Sequence, residues 1–308
     1  MLIRIPRGLR LNGGQTWAFV TKFAADAKTL IFATYMGGSA NSDAAYGIAL
    51  DSSGNAFVVG YTVNDDFPVT SGAYQTVCSP NFGSGSELPG CSGTSGGGAG
   101  SPSAFVTKLS PTGALLDSTF LSGTGTQSVG YSVAVDSAGR PYVAGWTFAG
   151  ANVPAGAPST QQVGFPTTSG AALAVPPYET QGGNQIFLDA FNQDAFIAVF
   201  NPSLSTLMYS SLIGDSQVSN GNIGFQSSAS TWGTAVTVDS AGNFYMAGDT
   251  ADPSLQTTPG SLQHHSSSCG VLGTGIPTLN GTCGFVVKFS PVTSTPTLIY
   301  GTYQSQMS

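Results

Sequence analysis

The sequence predicts an all-β fold built from a four-stranded unit that recurs about every ninety residues. Two stretches carry this prediction, because each returns in closely related form. The first is a pair of apolar runs joined by Asp-Ser-Ser-Gly or Asp-Ser-Ala-Gly, with copies at residues 47–60, 132–145 and 235–248. The second has the form Ala-Phe-Val-Thr-Lys-Phe in its first copy, and its copies begin at residues 18, 104, 195 and 284.

The first stretch predicts a β-hairpin. Its two arms are rich in β-branched and aromatic residues, which favour strands. The turn glycine, Gly54 in the first copy, can adopt the positive φ that a tight turn requires. Because the first arm is almost continuously apolar, we expect it to be a strand buried on both faces. These patterns place inner strands near residues 46–50, 131–135 and 234–238.

The second stretch predicts an outer hairpin. Each copy is followed by a polar turn, such as Pro111-Thr112-Gly113, and then by another strand. Those final strands show the alternation of a partly exposed strand. We expect them at residues 30–35, 115–120, 207–212 and 298–303.

The order along the chain is an inner hairpin, a long loop and an outer hairpin, repeated. Four antiparallel strands per unit, with Gly at the strand ends, are typical of one blade of a β-propeller. The predicted fold is therefore a β-propeller of four-stranded antiparallel blades, with about three blades plus an orphan outer hairpin in this chain.

The repeats also resemble a known bacterial family. The loop motif Phe-Pro-Val-Thr-Ser-Gly-Ala at residues 67–73 returns at residues 165–171 as Phe-Pro-Thr-Thr-Ser-Gly-Ala, and in altered form at residues 255–261. Together with the two hairpin stretches, it is similar to the bacterial SBBP beta-propeller repeat over most of residues 17–303. The resemblance implies a secreted or surface-attached propeller without established catalytic residues.

Composition excludes several classes of partner. Charged residues make up only 7% of the chain, against about 25% in an average soluble domain, so little charge repulsion opposes close self-packing. The net charge is −7 and the sequence has no basic stripe, so we expect no nucleic-acid partner. No apolar run reaches the roughly 18 residues of a membrane span, so we expect none.

Four cysteines lie in two close pairs, Cys78/Cys91 and Cys269/Cys283, at the same place in two repeats. A zinc site is the alternative to disulfides, but neither pair has CxxC spacing or a His in a ligand pattern. We therefore predict two loop-closing disulfides, each worth about 3 kcal/mol from loop entropy. Disulfides persist in oxidising compartments, so we predict an extracellular or cell-surface protein.

The repeats divide the chain into five segments. Residues 1–16 form an N-terminal arm, and residues 17–44 form the orphan outer hairpin. Residues 45–129 form a blade with a disulfide-closed insertion, residues 130–231 a blade with a long insertion, and residues 232–308 a blade with a second disulfide-closed insertion. A hairpin that lacks its partner exposes an unpaired strand edge, and such an edge can pair with another chain.

The aspartates of the hairpin turns, Asp51, Asp136 and Asp239, are the first candidates for chemistry, as acids or ligands around a channel. A repeated Asx turn, in which the carboxylate accepts backbone N–H groups, explains them better, because a catalytic residue is needed only once.

The densest group of oxygen ligands comprises Asn41, Asp43, Asn64, Asp65 and Asp66. Calcium in a loop is the alternative to ordinary turn contacts, but the EF-hand spacing is absent. We assign no metal site.

The histidines, His264 and His265, lie in an insertion loop without an identifiable nucleophile nearby, so we expect a solvated loop. Lys22, Lys108 and Lys288 share one repeat position, where we expect solvated side chains at a strand edge. We assign no catalytic residue and no cofactor.

The function we predict is that of a non-enzymatic extracellular structural or adhesion scaffold. Its partners are copies of itself, joined through the incomplete terminal blades head to tail, as in a filament, or as a completed ring. Asn280 starts the sequon Asn-Gly-Thr and is a candidate for glycosylation.

Two alternatives remain open. One is a carbohydrate-binding or carbohydrate-cleaving secreted propeller, with surface glycans as partners and a site that uses Trp146, Trp232 and loop carboxylates at the channel mouth. We expect these two tryptophans, with Trp17, to be packed between blades instead. The other is a fragment of a larger surface propeller protein. Residues 1–10 lack the apolar core of a secretory signal, so we expect that either a signal has been removed or this chain is a piece of a longer one.

Overall fold

The computed structural model describes residues 16–39, 42–78, 91, 102–123, 126–148, 164–172, 179–181, 184–186, 193–214, 230–251, 255, 257–263, 283–292 and 295–304. Within these ranges the chain forms strands and no helix. The strands are β1 (Ala18–Phe23), β2 (Leu30–Met36), β3 (Ala44–Leu50), β4 (Ala56–Thr62), β5 (Ser103–Leu109), β6 (Leu115–Leu121), β7 (Ser128–Val135), β8 (Pro141–Phe148), β9 (Glu179–Gln181), β10 (Asn184–Ile186), β11 (Gln193–Phe200), β12 (Leu207–Ile213), β13 (Thr231–Val238), β14 (Phe244–Thr250), β15 (Cys283–Phe289) and β16 (Leu298–Gln304).

The strands form three four-stranded antiparallel sheets, which confirms the predicted fold class. Blade 1 has the strand order β3-β4-β5-β6, blade 2 the order β7-β8-β11-β12 and blade 3 the order β13-β14-β15-β16. The strands β1 and β2 form a separate two-stranded sheet, the outer hairpin, and β9 pairs with β10 in the connection between β8 and β11. The described sheets follow one another without closing into a ring.

The prediction that the first arm of each inner hairpin is buried on both faces is wrong for β3 and for β13, where Ala235 and Thr237 are exposed. The residues of β3 alternate between partly buried and exposed, because one face packs towards blade 2 and no described sheet covers the other. The strands buried along nearly their whole length include β4, β5 and β11. Each of these has a paired strand on both sides, and its two faces contribute side chains to two of the hydrophobic cores between sheets.

The threonine that recurs in each copy of the loop motif bonds to the outermost strand of its own blade. In blade 1 the backbone N–H of Thr70 donates to the carbonyl of Ser118 at 3.0 Å, and the N–H of Ser118 donates to Thr70 Oγ1 at 3.0 Å. Thr168 makes the same pair of bonds with Ser210 in blade 2, and Thr258 makes them with Gly301 in blade 3. The loop is thereby attached to the outermost strand of its blade.

Three hydrophobic cores lie between successive sheets. Val20 of the outer hairpin shares a core with Phe105 of blade 1, and Val59 and Val106 of blade 1 share the next with Phe196 of blade 2. The third core joins blades 2 and 3 in the same way. We call the face of a sheet that bears Phe105 or its counterpart the leading face, and the opposite face, which bears Val106 or its counterpart, the trailing face.

Candidate functional site

The leading face of the outer hairpin is exposed where every other leading face is covered. Phe19, Phe105, Phe196 and Phe285 occupy one repeat position, and the last three are 0–1% exposed. Phe19 is 65% exposed. The buried rings are covered both by the preceding sheet and by the loop of their own blade: Phe105 stacks on Phe67 and Phe196 on Phe165, each with ring centroids 4.5 Å apart. Among the described residues, Phe19 has neither cover.

The neighbouring positions on the same hairpin repeat this difference. Phe23 is 55% exposed, whereas its three counterparts on β5, β11 and β15 are fully buried. On β2, Tyr35 lies opposite Phe19 and Leu30 lies opposite Phe23, and both are exposed. We call Phe19, Phe23, Leu30 and Tyr35 the open face.

A second exposed apolar area lies on the inner strand of blade 1. Ile48 and Leu50 are on its leading face, opposite Val58 and Ala56 of β4, and they are 58% and 63% exposed. At the position of Ile48, blade 2 has Val133, which is 7% exposed and belongs to the core between blades 1 and 2. Among the described residues, the outer hairpin has no inner strands that could cover β3.

One edge of β1 is open at the position where the other blades have their inner strands. Among the described strands β1 pairs with β2 alone. Its counterparts β5, β11 and β15 each also pair with the second strand of their blade. The open edge of β1 therefore carries backbone donors and acceptors that have strand partners at the same positions in the other blades.

The shared lysine position joins consecutive sheets. Lys22 Nζ donates to the carbonyl of Pro111 at 3.0 Å, and Lys108 Nζ donates to the carbonyl of Pro202 at 3.0 Å. Each carbonyl lies in the outer turn of the next blade. The expectation of merely solvated lysines is therefore wrong for these two residues, because each bonds to a residue about ninety positions further along the chain.

Blade 2 makes the corresponding contact with a different side chain. The lysine position is occupied by the buried Val199, and Arg140 Nη1 instead donates to the carbonyl of Val292 at 3.0 Å, in the outer turn of blade 3. Arg140 Nε is held by Asp136 Oδ2 at 2.6 Å. Each described sheet that is followed by another thus reaches its neighbour's outer turn through a cationic side chain.

Lys288 holds the same position on the trailing face of blade 3. Its Nζ lies 4.9 Å from the ring centroid of Tyr245, as Lys108 Nζ lies 5.2 Å from that of Phe57. A hydrogen bond with the Tyr245 side chain raises the pKa of Lys288. Lys288 thus has the same contact with its own sheet as Lys108, and among the described residues no following blade offers it an outer-turn carbonyl.

The described elements and their repetition correspond to a known repeat. Residues 31–68 match the family model described as a beta-propeller repeat, SBBP. The matched residues run from β2 through the inner hairpin β3–β4 to Pro68, so the matched stretch links the outer strand of one sheet to the inner strands of the next. A comparison with curated proteins finds no match.

The turn aspartates of the three blades form the Asx turns that the sequence predicts. Asp239 Oδ1 accepts the backbone N–H groups of Ala241 and Asn243, both at 2.9 Å, and its Oδ2 accepts Asn243 Nδ2 at 2.8 Å. The bond from the Asn243 side chain is the main cause that lowers the pKa of Asp239. Asp51 and Asp136 accept backbone N–H groups in the same way.

The acidic group near the start of the repeat is engaged in local contacts. Asp43 is buried and accepts Asn64 Nδ2 at 2.9 Å and the backbone N–H of Gly38 at 3.1 Å. Burial raises the pKa of Asp43 against these bonds. Asp66 accepts the N–H of Ser39 at 2.9 Å. These oxygens fix the connection between the outer hairpin and blade 1; the fifth residue considered, Asn41, lies outside the described residues.

The structure joins Cys78 to Cys91 by a disulfide, as the sequence predicts, with the Cα atoms 5.5 Å apart. Asp65 accepts the backbone N–H of Cys91, and its carboxylate lies within 4.8 Å of both sulfurs. A metal would require thiolates, which the disulfide does not provide. Cys283 is also disulfide-bonded, and its predicted partner Cys269 lies outside the described residues.

His264, His265 and the sequon residue Asn280 lie outside the described residues. The described part of the chain contains no helix long and apolar enough to span a membrane.

The three tryptophans lie at or near strand ends. Trp17 directly precedes β1, Trp146 lies near the end of β8, and Trp232 lies near the start of β13. Trp17 Nε1 donates to the carbonyl of Gly38 at 3.2 Å, and Trp146 Nε1 donates to the hydroxyl of Tyr131 at 3.1 Å. Trp232 lines an open cleft with Tyr46, Tyr131, Thr234 and Asp249. Sequence reasoning missed the two tyrosines of this cleft, although each stands at the same place before the repeated inner stretch.

Proposed function

We propose that this propeller section is a non-enzymatic extracellular scaffold that assembles with copies of itself head to tail. In this arrangement the open face of one copy packs on the trailing face of blade 3 of the next. The observation that carries the proposal is the exposure of Phe19, whose counterparts are buried against a preceding sheet in all three blades.

The open face offers enough apolar surface for such packing. Complete burial of a Phe or Leu side chain is worth about 1.5–3 kcal/mol relative to its exposed state. The open face has two phenylalanines, one leucine and one tyrosine, all about half exposed or more. The low content of charged residues, 7%, leaves little electrostatic repulsion between two copies.

The polar contacts between blades extend to this interface by repeat equivalence. Lys22 donates to the carbonyl of Pro111, which lies two residues after the end of β5, and Lys108 donates to the carbonyl of Pro202, which lies two residues after the end of β11. The equivalent carbonyl of the outer hairpin is that of Ala25. We expect Lys288 of one copy to donate to the Ala25 carbonyl of the next.

The extracellular and non-enzymatic parts of the proposal have separate support. The Cys78–Cys91 disulfide favours an oxidising compartment. The repeated aspartates that were the first candidates for acids are each committed to hairpin turns, as Asp51 and Asp239 illustrate. A scaffold requires no more of these residues than the rigid turns they form.

Sedimentation velocity across a concentration series tests the proposal. We expect the native chain to form larger species as concentration rises, and we expect Phe19→Asp to abolish them, because the introduced carboxylate would be buried at the contact. Leu116→Asp is the matched control: Leu116 is also an exposed apolar residue, but it lies on β6 away from the open face. A native chain that remains monomeric, or equal loss in both variants, would contradict the proposal.

A second candidate has its own observation. The open edge of β1 and the exposure of Ile48 favour completion by a two-stranded inner hairpin, as expected if this chain is one section of a larger surface propeller. A peptide of residues 231–250, which forms the inner hairpin of blade 3, serves as the probe. Binding of this peptide, with protection of the β1 amides and no self-association of the native chain, would favour the second candidate.

A further inference from the structure

An open cleft of about 480 Å³ lies where the inner strands of the three blades meet. Among the described residues it is lined by Tyr46, Tyr131, Trp232, Thr234 and Asp249. Its volume falls within the roughly 300–1,000 Å³ that is usual for small-molecule sites. Three of its residues are aromatic and one is an acid, and none of them belongs to the open face.

The repeat itself builds the cleft. Each inner strand contains a bulge, and the bulged residues are Tyr46, Tyr131 and Thr234. A bulge re-aims a side chain, so one residue of each blade is presented at the same end of the inner strands. The glycine opposite the bulge is required, because a Cβ on Gly60 would lie 1.8 Å from the carbonyl oxygen of Ala44.

The aromatic rings are held in place before any ligand arrives. The rings of Tyr46 and Tyr131 are in contact, with centroids 5.3 Å apart and planes tilted by 58°. Trp146 Nε1 donates to the Tyr131 hydroxyl, which leaves the hydroxyl hydrogen free to donate elsewhere. Trp232 Nε1 donates to Gln193 Oε1 at 2.5 Å. Fixed side chains lose little conformational entropy when a ligand binds.

The polar groups distinguish between two ligand classes. Aromatic rings beside a carboxylate can hold a quaternary ammonium through its charge, but such a cation needs no hydroxyl partners. The cleft also has the hydroxyls of Tyr46, Tyr131 and Thr234, and Asp249 is exposed. Flat apolar faces surrounded by several hydrogen-bonding groups match a sugar ring, which has an apolar C–H face and a rim of hydroxyls.

We propose that the cleft of Tyr46, Tyr131, Trp232, Thr234 and Asp249 binds a neutral oligosaccharide, with a sugar ring stacked on the exposed tyrosine ring and a sugar hydroxyl donating to Asp249. Tyr46 is 53% exposed, so part of its ring remains accessible beside its contacts with Tyr61 and Tyr131. The proposal is independent of self-assembly, because it uses residues of the inner strands and none of the open face.

The test is a titration of the purified chain with hexamers of five neutral glycans: cellulose, xylan, chitin, β-1,3-glucan and starch. Calorimetry and tryptophan fluorescence report binding, the latter because Trp232 lines the cleft. Choline chloride is titrated in parallel as the cationic probe. We expect saturable binding of at least one hexamer with a Kd of about 1 mM or tighter.

Three variants locate the binding. Tyr46→Ala removes an exposed ring, and we expect it to weaken binding about five- to tenfold, while Asp249→Asn weakens it about threefold. Leu116→Ala is the control, since Leu116 is an exposed apolar residue on β6 that belongs neither to the cleft nor to the open face, and it should bind as the native chain does. The proposal is overturned by no saturable binding of any hexamer, by binding of choline alone, or by binding that Tyr46→Ala leaves unchanged.

Discussion

The open face of the outer hairpin and the leading face of blade 1 have almost the same sequence and opposite surroundings. Ala-Phe-Val-Thr-Lys is identical at residues 18–22 and 104–108. Yet Phe19 faces solvent, whereas Phe105 is fully buried and stacks on Phe67 with ring centroids 4.5 Å apart. Identical local sequence therefore forms the same strand in both places, and burial depends on what covers the leading face: the preceding sheet and the loop of the same blade, which contributes Phe67.

The comparison separates what holds a blade together from what holds blades to each other. The Asx turn at Asp51 and the loop contact between Thr70 and Ser118 lie within one blade. The phenylalanine position and the lysine position act between blades. Among the described residues, the outer hairpin keeps its pairing between β1 and β2 but lacks a strand on the other edge of β1 and a sheet on its leading face, so this is the part of the molecule suited to accept a partner.

The largest expected effect comes from the paired substitutions Phe105→Ala and Phe19→Ala. Removing the buried ring should lower the free energy of unfolding by about 3–5 kcal/mol, because it leaves a cavity between the outer hairpin and blade 1. Removing the exposed ring should change it by less than about 0.5 kcal/mol in the dilute chain. Urea unfolding at low protein concentration measures both, and equal destabilisation would break the comparison.

The inner strands give a smaller version of the same test. Val133→Ala should cost about 2 kcal/mol, because Val133 packs in the core between blades 1 and 2. Ile48→Ala, at the equivalent exposed position, should be nearly neutral despite removing more atoms. If thermal unfolding shows Ile48→Ala to be the more damaging change, β3 is covered in solution and the inner position is not open.

The lysines should separate stability from association. Lys108→Met should destabilise the dilute chain by about 0.5–1 kcal/mol, because the bond to the Pro202 carbonyl is lost while the aliphatic stem is kept. Lys288→Met should leave the dilute chain unchanged and weaken its self-association. Urea unfolding and sedimentation velocity on both variants check this, and an association that is insensitive to Lys288 would exclude its role at the contact.

The smallest expected effect is the loss, at low pH, of the stabilisation that Asp26 gives to the turn of the outer hairpin. Asp26 accepts the N–H groups of Thr29 and Lys28, both at 2.9 Å, and these bonds lower its pKa to about 2. Because the folded pKa lies below the ordinary value of 3.8, the stabilisation is present above about pH 4 and is lost as the pH falls towards 2. The equivalent turn of blade 1 uses the uncharged Ser110.

Amide exchange of Thr29 and Ala114 between pH 4 and pH 2 measures this difference, after correction for the intrinsic pH dependence of exchange. Protection should fall at Thr29 alone, and Asp26→Asn should remove the change. The same loss at both amides would mean that acid opens the blades together rather than this one turn.

Local sequence was sufficient for the strands and turns. The Asp-Ser-Ala-Gly turn at Asp239 follows from side-chain hydrogen bonding and a positive φ at Gly242, both of which are properties of adjacent residues. The outer strands end within one residue of their predicted positions for the same reason. The fold class then follows from repetition, because four such strands per unit form one blade.

Contacts between blades could not be predicted in this way. The bond from Lys22 to Pro111 spans 89 residues, so its partner depends on how two sheets pack. The burial of the inner strand was mispredicted because an edge strand and a central strand of one blade have similar apolar runs. The cleft needed the bulges that place Tyr46 and Tyr131 side by side; the glycines that follow or face those bulges were visible, but their spatial meaning was not.

The account depends most directly on whether the open face becomes covered when copies meet. Hydrogen–deuterium exchange of the native chain, measured in dilute and in concentrated solution, reports this for every strand at once. We expect protection of β1 and β2 to rise with concentration, together with that of β15 around Lys288, while β5 and β6 stay unchanged. Exchange in β1 and β2 that is the same at both concentrations would contradict the account.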